Sequence, residues 1–192
     1  MKELLEIRWH GRGGQGAKTA ALLFADAALA SGKYVQAFPE YGPERMGAPV
    51  TAFNRISSKP ILLHSGVLNP DVVIVLDPTL MEGVDVTEGL PQDGAIIVNT
   101  NKTPADIRKE LKVPGSMKVY SVDASLISKE TIGREIPNTP MLGAFIKATG
   151  VLDFKEMIED TRHKLEKKFK SKPEVIEGNL KAIERAYNEV KS

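Results

Sequence analysis

The run Gly11-Arg12-Gly13-Gly14-Gln15-Gly16 constrains this chain more than any other feature of its sequence. Leu4-Leu5-Glu6-Ile7-Arg8-Trp9 before it reads as a strand, and Ala17 to Ser31 after it reads as a helix with Gly32 as its C-terminal stop. Glycines permit the sharp reversal between the two. They also let the helix start close to the strand end, where its first amides favour an anion. The helix holds seven alanines together with Leu22, Leu23, Phe24 and Leu29, and Lys18 and Asp26 are its only charges. A helix apolar on nearly all sides is expected to be buried, its small side chains letting it lie close on a sheet. Tyr34 to Phe38 follows as a second strand and completes a Rossmann-like βαβ unit, whose crossover is expected to be right-handed.

The spacing Gly11-x-Gly13-x-x-Gly16 fits the dinucleotide-binding fingerprint, and it stands where that motif belongs, between strand and helix. Lys18 and Thr19, in the first helical turn, add an ammonium and a hydroxyl. The candidate anion-binding residues are therefore Gly11, Gly13, Gly14, Gln15, Gly16, Lys18 and Thr19. Two features count against a nicotinamide dinucleotide or a nucleoside triphosphate. The second strand ends in Gln36-Ala37-Phe38, where an acid would hold the ribose hydroxyls, and Glu40 comes late, after Pro39. A phosphate-binding P-loop fails by one extra alanine between Gly16 and Lys18. Packing of a close helix accounts for the glycines as well as anion binding does, so both readings stand open.

Pro39 to Pro49 is dense in glycine and proline and reads as a loop. It presents Glu40, Tyr41, Glu44, Arg45 and Met46, and it reads either as an ordinary surface turn or as a docking surface. The enrichment of Tyr, Met and Arg in interface cores favours docking. Val50 to Ser57 is extended, with Val50, Ala52, Asn54 and Ile56 on one face and Thr51, Phe53 and Arg55 on the other; Ile61 to Leu63 is expected to pair with it. Asp71 to Asp77 and Ala95 to Val98 are apolar runs of the kind found in central parallel strands, and Met117 to Val122 echoes them weakly. Thr103-Pro104 opens a short helix, and Asn138-Thr139-Pro140 reads as a cap with proline at the first helical position.

In the C-terminal third, Phe154, Met157, Ile158, Leu165 and Phe169 form one helical stripe, and Ile176, Leu180, Ile183, Tyr187 and Val190 another. The pattern predicts an α/β chain: a three-layer α/β/α domain with a mostly parallel sheet, one domain over 1–192 with 151–192 as a helical tail packed on it.

Composition narrows the functions that the sequence gives reason to propose. With 26 basic and 25 acidic residues there is no electrostatic footprint for nucleic acid or a membrane surface. The most apolar run, Ala20 to Ala30, is about half the ~20 residues a membrane span needs, and the N-terminus lacks the pattern of a signal peptide, so a cytoplasmic location is expected. The chain has no cysteine, which rules out disulfides and thiolate-held iron–sulfur clusters. His10, His64 and His163 show no metal-ligand spacing and are expected to be solvated or hydrogen-bonded.

Three segments in order, IRWHGRGGQGAKTAA, AFPEYGPERMGAPVTAFNRIS and NTPMLGAFIKATG, resemble the gamma subunit of pyruvate:ferredoxin oxidoreductase and related 2-oxoacid enzymes. The resemblance runs from the first strand to Gly150, and the helical tail fits it. It implies a four-subunit enzyme of alpha, beta, gamma and delta chains that turns a 2-oxoacid, coenzyme A and oxidised ferredoxin into acyl-coenzyme A, carbon dioxide and reduced ferredoxin. It further implies that thiamine diphosphate with magnesium lies between the alpha- and beta-type chains, and that [4Fe-4S] clusters lie in the beta and delta chains. On that reading this chain binds none of these alone, is inactive alone, and helps assemble the complex. The glycine-rich turn then cradles a phosphate of coenzyme A or shapes the interface beside it, and Glu40, Tyr41, Glu44, Arg45 and Met46 dock partner chains. Two alternatives remain: a free-standing NAD(P)- or nucleotide-binding oxidoreductase using the same turn, and the subunit of a two-chain indolepyruvate-type enzyme.

Overall fold

The computed structural model describes residues 2–40, 46–170 and 172–192. Along these residues run β1 (Leu4–Arg12), α1 (Ala17–Ala30), β2 (Tyr34–Pro39), β3 (Pro49–Ser57), β4 (Val72–Val75), β5 (Ala95–Asn99), α2 (Pro104–Leu111), β6 (Lys118–Val122), α3 (Ala124–Ile132), α4 (Asn138–Thr149), α5 (Phe154–Lys168) and α6 (Pro173–Glu189). The strands form one sheet in the order β2-β3-β1-β4-β5-β6. All pairings are parallel except those of β3, which runs against both β1 and β2. The expected mostly parallel sheet with flanking helices is what forms.

The first βαβ unit is split. β1 and β2 point the same way, but β3 lies between them, pairing Leu4 with Ser57 through Arg12 with Pro49 on one side and Tyr34 with Ser57 on the other. Because β1 and β2 occupy both edges of β3, Ile61–Leu63 has no edge left to join, and it forms no strand. Leu63 and the chain just after it instead supply carbonyls, Leu63 O to Gln36 Nε2 and Gly66 O to the Arg55 guanidinium.

The alternation of β1 and β3 sorts their side chains onto two faces. Ile7, Trp9, Ala52 and Ile56 join Val72, Ile74, Ala95 and Ile97 in the larger core, together with residues of α1, α3, α4 and α6. Trp9 packs edge-on to Phe145, which packs edge-on to Phe24. Asn54 is the polar member of this layer: it accepts from Trp9 Nε1 at 2.8 Å and donates to Ala21 O at 3.0 Å, tying β1, β3 and α1 at one point. On the other face, Val73, Val75, Ile96, Val98 and Val119 make a second core with Leu80, Val86 and Ile107 of α2.

Helix starts follow their caps. Thr103 and Asp106 form a reciprocal capping box at α2, and Asp123 and Asp153 cap α3 and α5. Two expectations need correction. α1 buries its alanine and Phe24 side, but Leu29 is 64% exposed and Leu22 46%, because a helix on a sheet hides one face and its outer face meets only part of α5. Asn138 is the first residue of α4 and not its cap. Its Oδ1 accepts from Thr139 N, Pro137 stands before it, and Pro140 is the third helical residue.

Candidate functional site

β1 runs on past Trp9 to Arg12, so the turn leaves the sheet between the C-terminal ends of β1 and β4. From β1 the chain crosses towards β2, while β4 leads on to β5, so the turn lies at the switch point of the sheet. Gly14 and Gly16 have φ of 98° and 82°, a region that side chains with a Cβ rarely enter. Gly16 starts α1 with no side-chain cap, which leaves the first amides of the helix open in front of exposed Lys18 and Thr19. At the other end of the turn Gly11 is buried, and a Cβ there would press on Ala17 and Leu76 at 3.3 Å.

Gln15 does structural work that its sequence position did not reveal. Its Oε1 accepts from Arg12 N at 2.7 Å, and its Nε2 donates to Asp77 Oδ2 at 2.7 Å. Arg12 reaches the same carboxylate at 3.2 Å, donates to Thr79 Oγ1 at 2.8 Å, and donates to Gly47 O at 3.1 Å. Burial works against charge on Asp77. Hydrogen bonds from Thr79 and Gln15, with the Arg12 guanidinium, outweigh it and hold the carboxyl below its ordinary value. The switch-point crevice is thus bridged by an ionised acid and its partners. Asp77 bracketing an apolar run was the available signal for it; nothing in the sequence marked Arg12 or Thr79 as its partners.

The two segments singled out in the sequence meet in space. Gly13 N donates to Ala48 O at 2.9 Å, and Gly47 N donates to Gly13 O at 3.1 Å, so the end of the 39–49 loop is bonded to the glycine-rich turn. Met46 stands 95% exposed beside it. Glu40 is exposed, continues the β2–β3 ladder through Thr51 O and accepts from Thr51 Oγ1. Tyr41, Glu44 and Arg45 lie outside the described residues.

A third segment joins them. The Asn138 side chain of α4 lies directly on Gly16: a Cβ built there would fall 2.5 Å from Asn138 Nδ2, 3.0 Å from Cγ and 3.2 Å from Cβ. Beneath the turn, His10 is buried and accepts from Arg8 Nε at 2.9 Å. Burial, and then the neighbouring Arg8 charge, lower its pKa to about 4, so it is a neutral, hydrogen-bonded imidazole. Among the described residues there is no group of three acidic, His or Cys side chains placed to hold a metal, and no helix is long and apolar enough to cross a membrane.

Comparison with known proteins adds to this geometry. A family model described as pyruvate ferredoxin/flavodoxin oxidoreductase matches residues 6–189. The chain is 50% identical over 192 residues to pyruvate synthase subunit PorC of Thermotoga maritima, covering 99% of this chain and 96% of that one. It is also 50% identical over 184 residues to the pyruvate/ketoisovalerate oxidoreductases common subunit gamma of Pyrococcus abyssi, covering 96% of each. The crystal structure of the Thermotoga maritima subunit superposes with a TM-score of 0.85 at 47% identity, over 99% of this chain and 98% of that one. The same fold recurs at 21% identity and a TM-score of 0.77 in 2-oxoglutarate:ferredoxin oxidoreductase from Magnetococcus marinus, solved with 2-oxoglutarate, coenzyme A and succinyl-CoA; it covers 98% of this chain and 31% of that one.

Proposed function

The chain belongs to the pyruvate ferredoxin/flavodoxin oxidoreductase family as a gamma-type subunit, and from that premise we propose that its glycine-rich turn takes part in binding coenzyme A within the assembled enzyme. A gamma-type subunit is a non-catalytic part of a 2-oxoacid oxidoreductase. The observation that carries the proposal is the bonded junction of turn and loop: the open amides at the start of α1 sit beside the loop read as the docking surface. Those amides, with Lys18, Thr19 and the permissive backbone of Gly14, offer hydrogen bonds and positive charge to a phosphate group. Met46 and Glu40, with Tyr41, Glu44 and Arg45 of the same segment, are then the proposed contacts to the partner chains.

In this reading the partners are the alpha, beta and delta chains of a cytoplasmic complex, and ferredoxin is reached only through them. Thiamine diphosphate, magnesium and [4Fe-4S] clusters are assigned in this reading to those partners; for the clusters it is supported by the absence of cysteine from this chain. The chain's own work is to orient coenzyme A and keep the assembly in register. A free-standing dinucleotide enzyme finds less support. Gln36, where a ribose-binding acid would stand, instead donates to Leu63 O.

Isothermal titration of the assembled complex with coenzyme A, for wild type, Lys18→Ala and Gly14→Val, tests this. Loss of a charge-assisted contact predicts affinity roughly tenfold weaker for Lys18→Ala. Unchanged affinity in both variants removes the coenzyme role. Co-purification supplies the partners: the subunit reading requires that chains bearing iron and thiamine diphosphate come down with this one.

A further inference from the structure

We propose that Arg12 is a clamp: its guanidinium pins a two-stranded arm of the sheet in place and so sets the position from which the 39–49 loop meets partner chains. This rests on the reading of that loop as a docking surface and adds to it a positioning residue outside the loop.

The arm begins where the strand ladders part. β4 pairs with β1 up to Val75 opposite His10, and one further bond, Leu76 N to His10 O, closes that side. β2 pairs with β3 up to Pro39 opposite Ala52, and Glu40 N to Thr51 O closes the other. Beyond these points β1 and β3 run on together. Gly11 lies opposite Val50 and Arg12 opposite Pro49, and the bonds of Gly13 to Gly47 and Ala48 extend the ladder. Among the described residues no third strand joins this stretch. A two-stranded ribbon is marginally stable alone and twists more than a wide sheet does. Something other than a strand must fix its angle to the sheet.

Arg12 stands on the arm and reaches both sides of the gap. Its Nη1 donates to Gly47 O at 3.1 Å, where the loop returns to the arm. Its Nη2 and Nε donate to Thr79 Oγ1 at 2.8 and 3.2 Å, and Nε lies 3.2 Å from Asp77 Oδ2, just past the end of β4. Asp77 is held in turn: Oδ1 accepts from Thr79 N and Thr79 Oγ1, and Oδ2 accepts from Gln15 Nε2. A planar guanidinium fork holds two directions at once, which an ammonium on a flexible stem does not. With the Arg12 side chain 33% exposed, the ion pair adds little to global stability. Its effect falls on the angle of the arm. Met46, 95% exposed, adjoins Gly47, so that angle decides where this docking residue lies.

Hydrogen exchange of the full chain, and its assembly with the partner chains that co-purify with it, test the clamp. Arg12→Gln and Asp77→Asn are each expected to speed exchange of the Gly13 and Gly47 amides roughly tenfold, while Val73 and Ile96 keep wild-type rates. The double variant should exchange no faster than the faster single one, since both break the same contact. Arg12→Lys keeps the charge and loses the fork; it is expected to behave as Arg12→Gln does, and it serves in its place if the glutamine variant fails to fold. Each variant should need roughly fivefold more chain for half-assembly. Wild-type exchange at Gly13 and Gly47 in Arg12→Gln or Arg12→Lys overturns the clamp. Met46→Glu separates the clamp from the docking reading. Weakened assembly in Met46→Glu with wild-type assembly in the Arg12 variants overturns the role of Arg12 and leaves the docking loop standing. Wild-type assembly in Met46→Glu overturns the docking reading and this proposal with it.

Discussion

On the second face of the sheet, β4, β5 and β6 lie under α2 on an apolar cluster, whereas β2, β3 and β1 present Glu6, Arg8, His10, Gln36, Phe38, Phe53 and Arg55 to a covering of irregular chain. The first half is closed by burial of Val73, Val75, Ile96, Val98 and Ile107. The second is closed by hydrogen bonds. Arg55 donates to Glu6 at 2.8 Å, to Gln36 and to Gly66 O, with its guanidinium over the Phe38 ring, while Arg8 donates to His10, Val86 O and Glu88 O. Burial without direction stabilises a fold, whereas directed bonds to charged groups add little net stability and fix geometry. The half that fixes geometry is the half that ends in the glycine-rich turn.

The contrast is broken most severely from the apolar side. Ile96→Ala should lower unfolding stability by about 4 kcal/mol, read from the urea midpoint, since Ile96 is wholly buried and its cavity has no solvent to fill it. On the polar side, Arg55→Ala should cost about 3 kcal/mol by stranding Glu6, but the pair Arg55→Met with Glu6→Gln should return to within about 1 kcal/mol of wild type. If the double variant is as damaged as the single one, the ion pair is a stability device and the contrast between the halves fails.

Acid should separate the halves next. His10 takes up a proton near pH 6.5 when unfolded but only near pH 4 when folded. The unfolded chain therefore binds more protons between those values, and stability is full above pH 6.5 and falls as pH drops towards 4. From pH 7 to pH 5 the loss should be about 2 kcal/mol, and it should be absent from a His10→Phe variant measured over the same range. The smallest effect should come from the exposed leucines over the polar half. Leu62→Ser and Leu68→Ser, 82% and 78% exposed, should each change the urea midpoint by less than about 0.5 kcal/mol equivalent.

Much of this arrangement could be read from the chain. The apolar runs at β4 and β5, the alanine-rich α1 and the amphipathic α5 and α6 carry their own periodicity, and that periodicity sets which face is hidden. The place of β3 between β1 and β2 did not show, because a strand's alternation names its faces and not its neighbours. For the same reason Ile61–Leu63 looked like a pairing strand until both edges of β3 were seen to be taken. At Asn138 a local signal misled: Asn-Thr-Pro before an apolar helix has the composition of a cap, but Asn138 is already helical and its side chain lies against Gly16. The glycine turn was legible as a turn, but its bonds to Asp77, Gly47 and Ala48 come from distant segments and have no local trace.

The antiparallel course of β3 also acts as a ruler. It seats Pro49 opposite Arg12, so the end of one loop is laid beside the glycines of the other. Slipping β3 by one residue would turn Ala52 and Ile56 outward, which the core forbids. The next permitted setting, two residues away, would carry the loop end about 7 Å along β1. Between these steps no intermediate alignment exists. The distance between the two loops is therefore quantised by the strand ladder, and it can be rewritten only by changing loop lengths, never by gradual adjustment of the sheet.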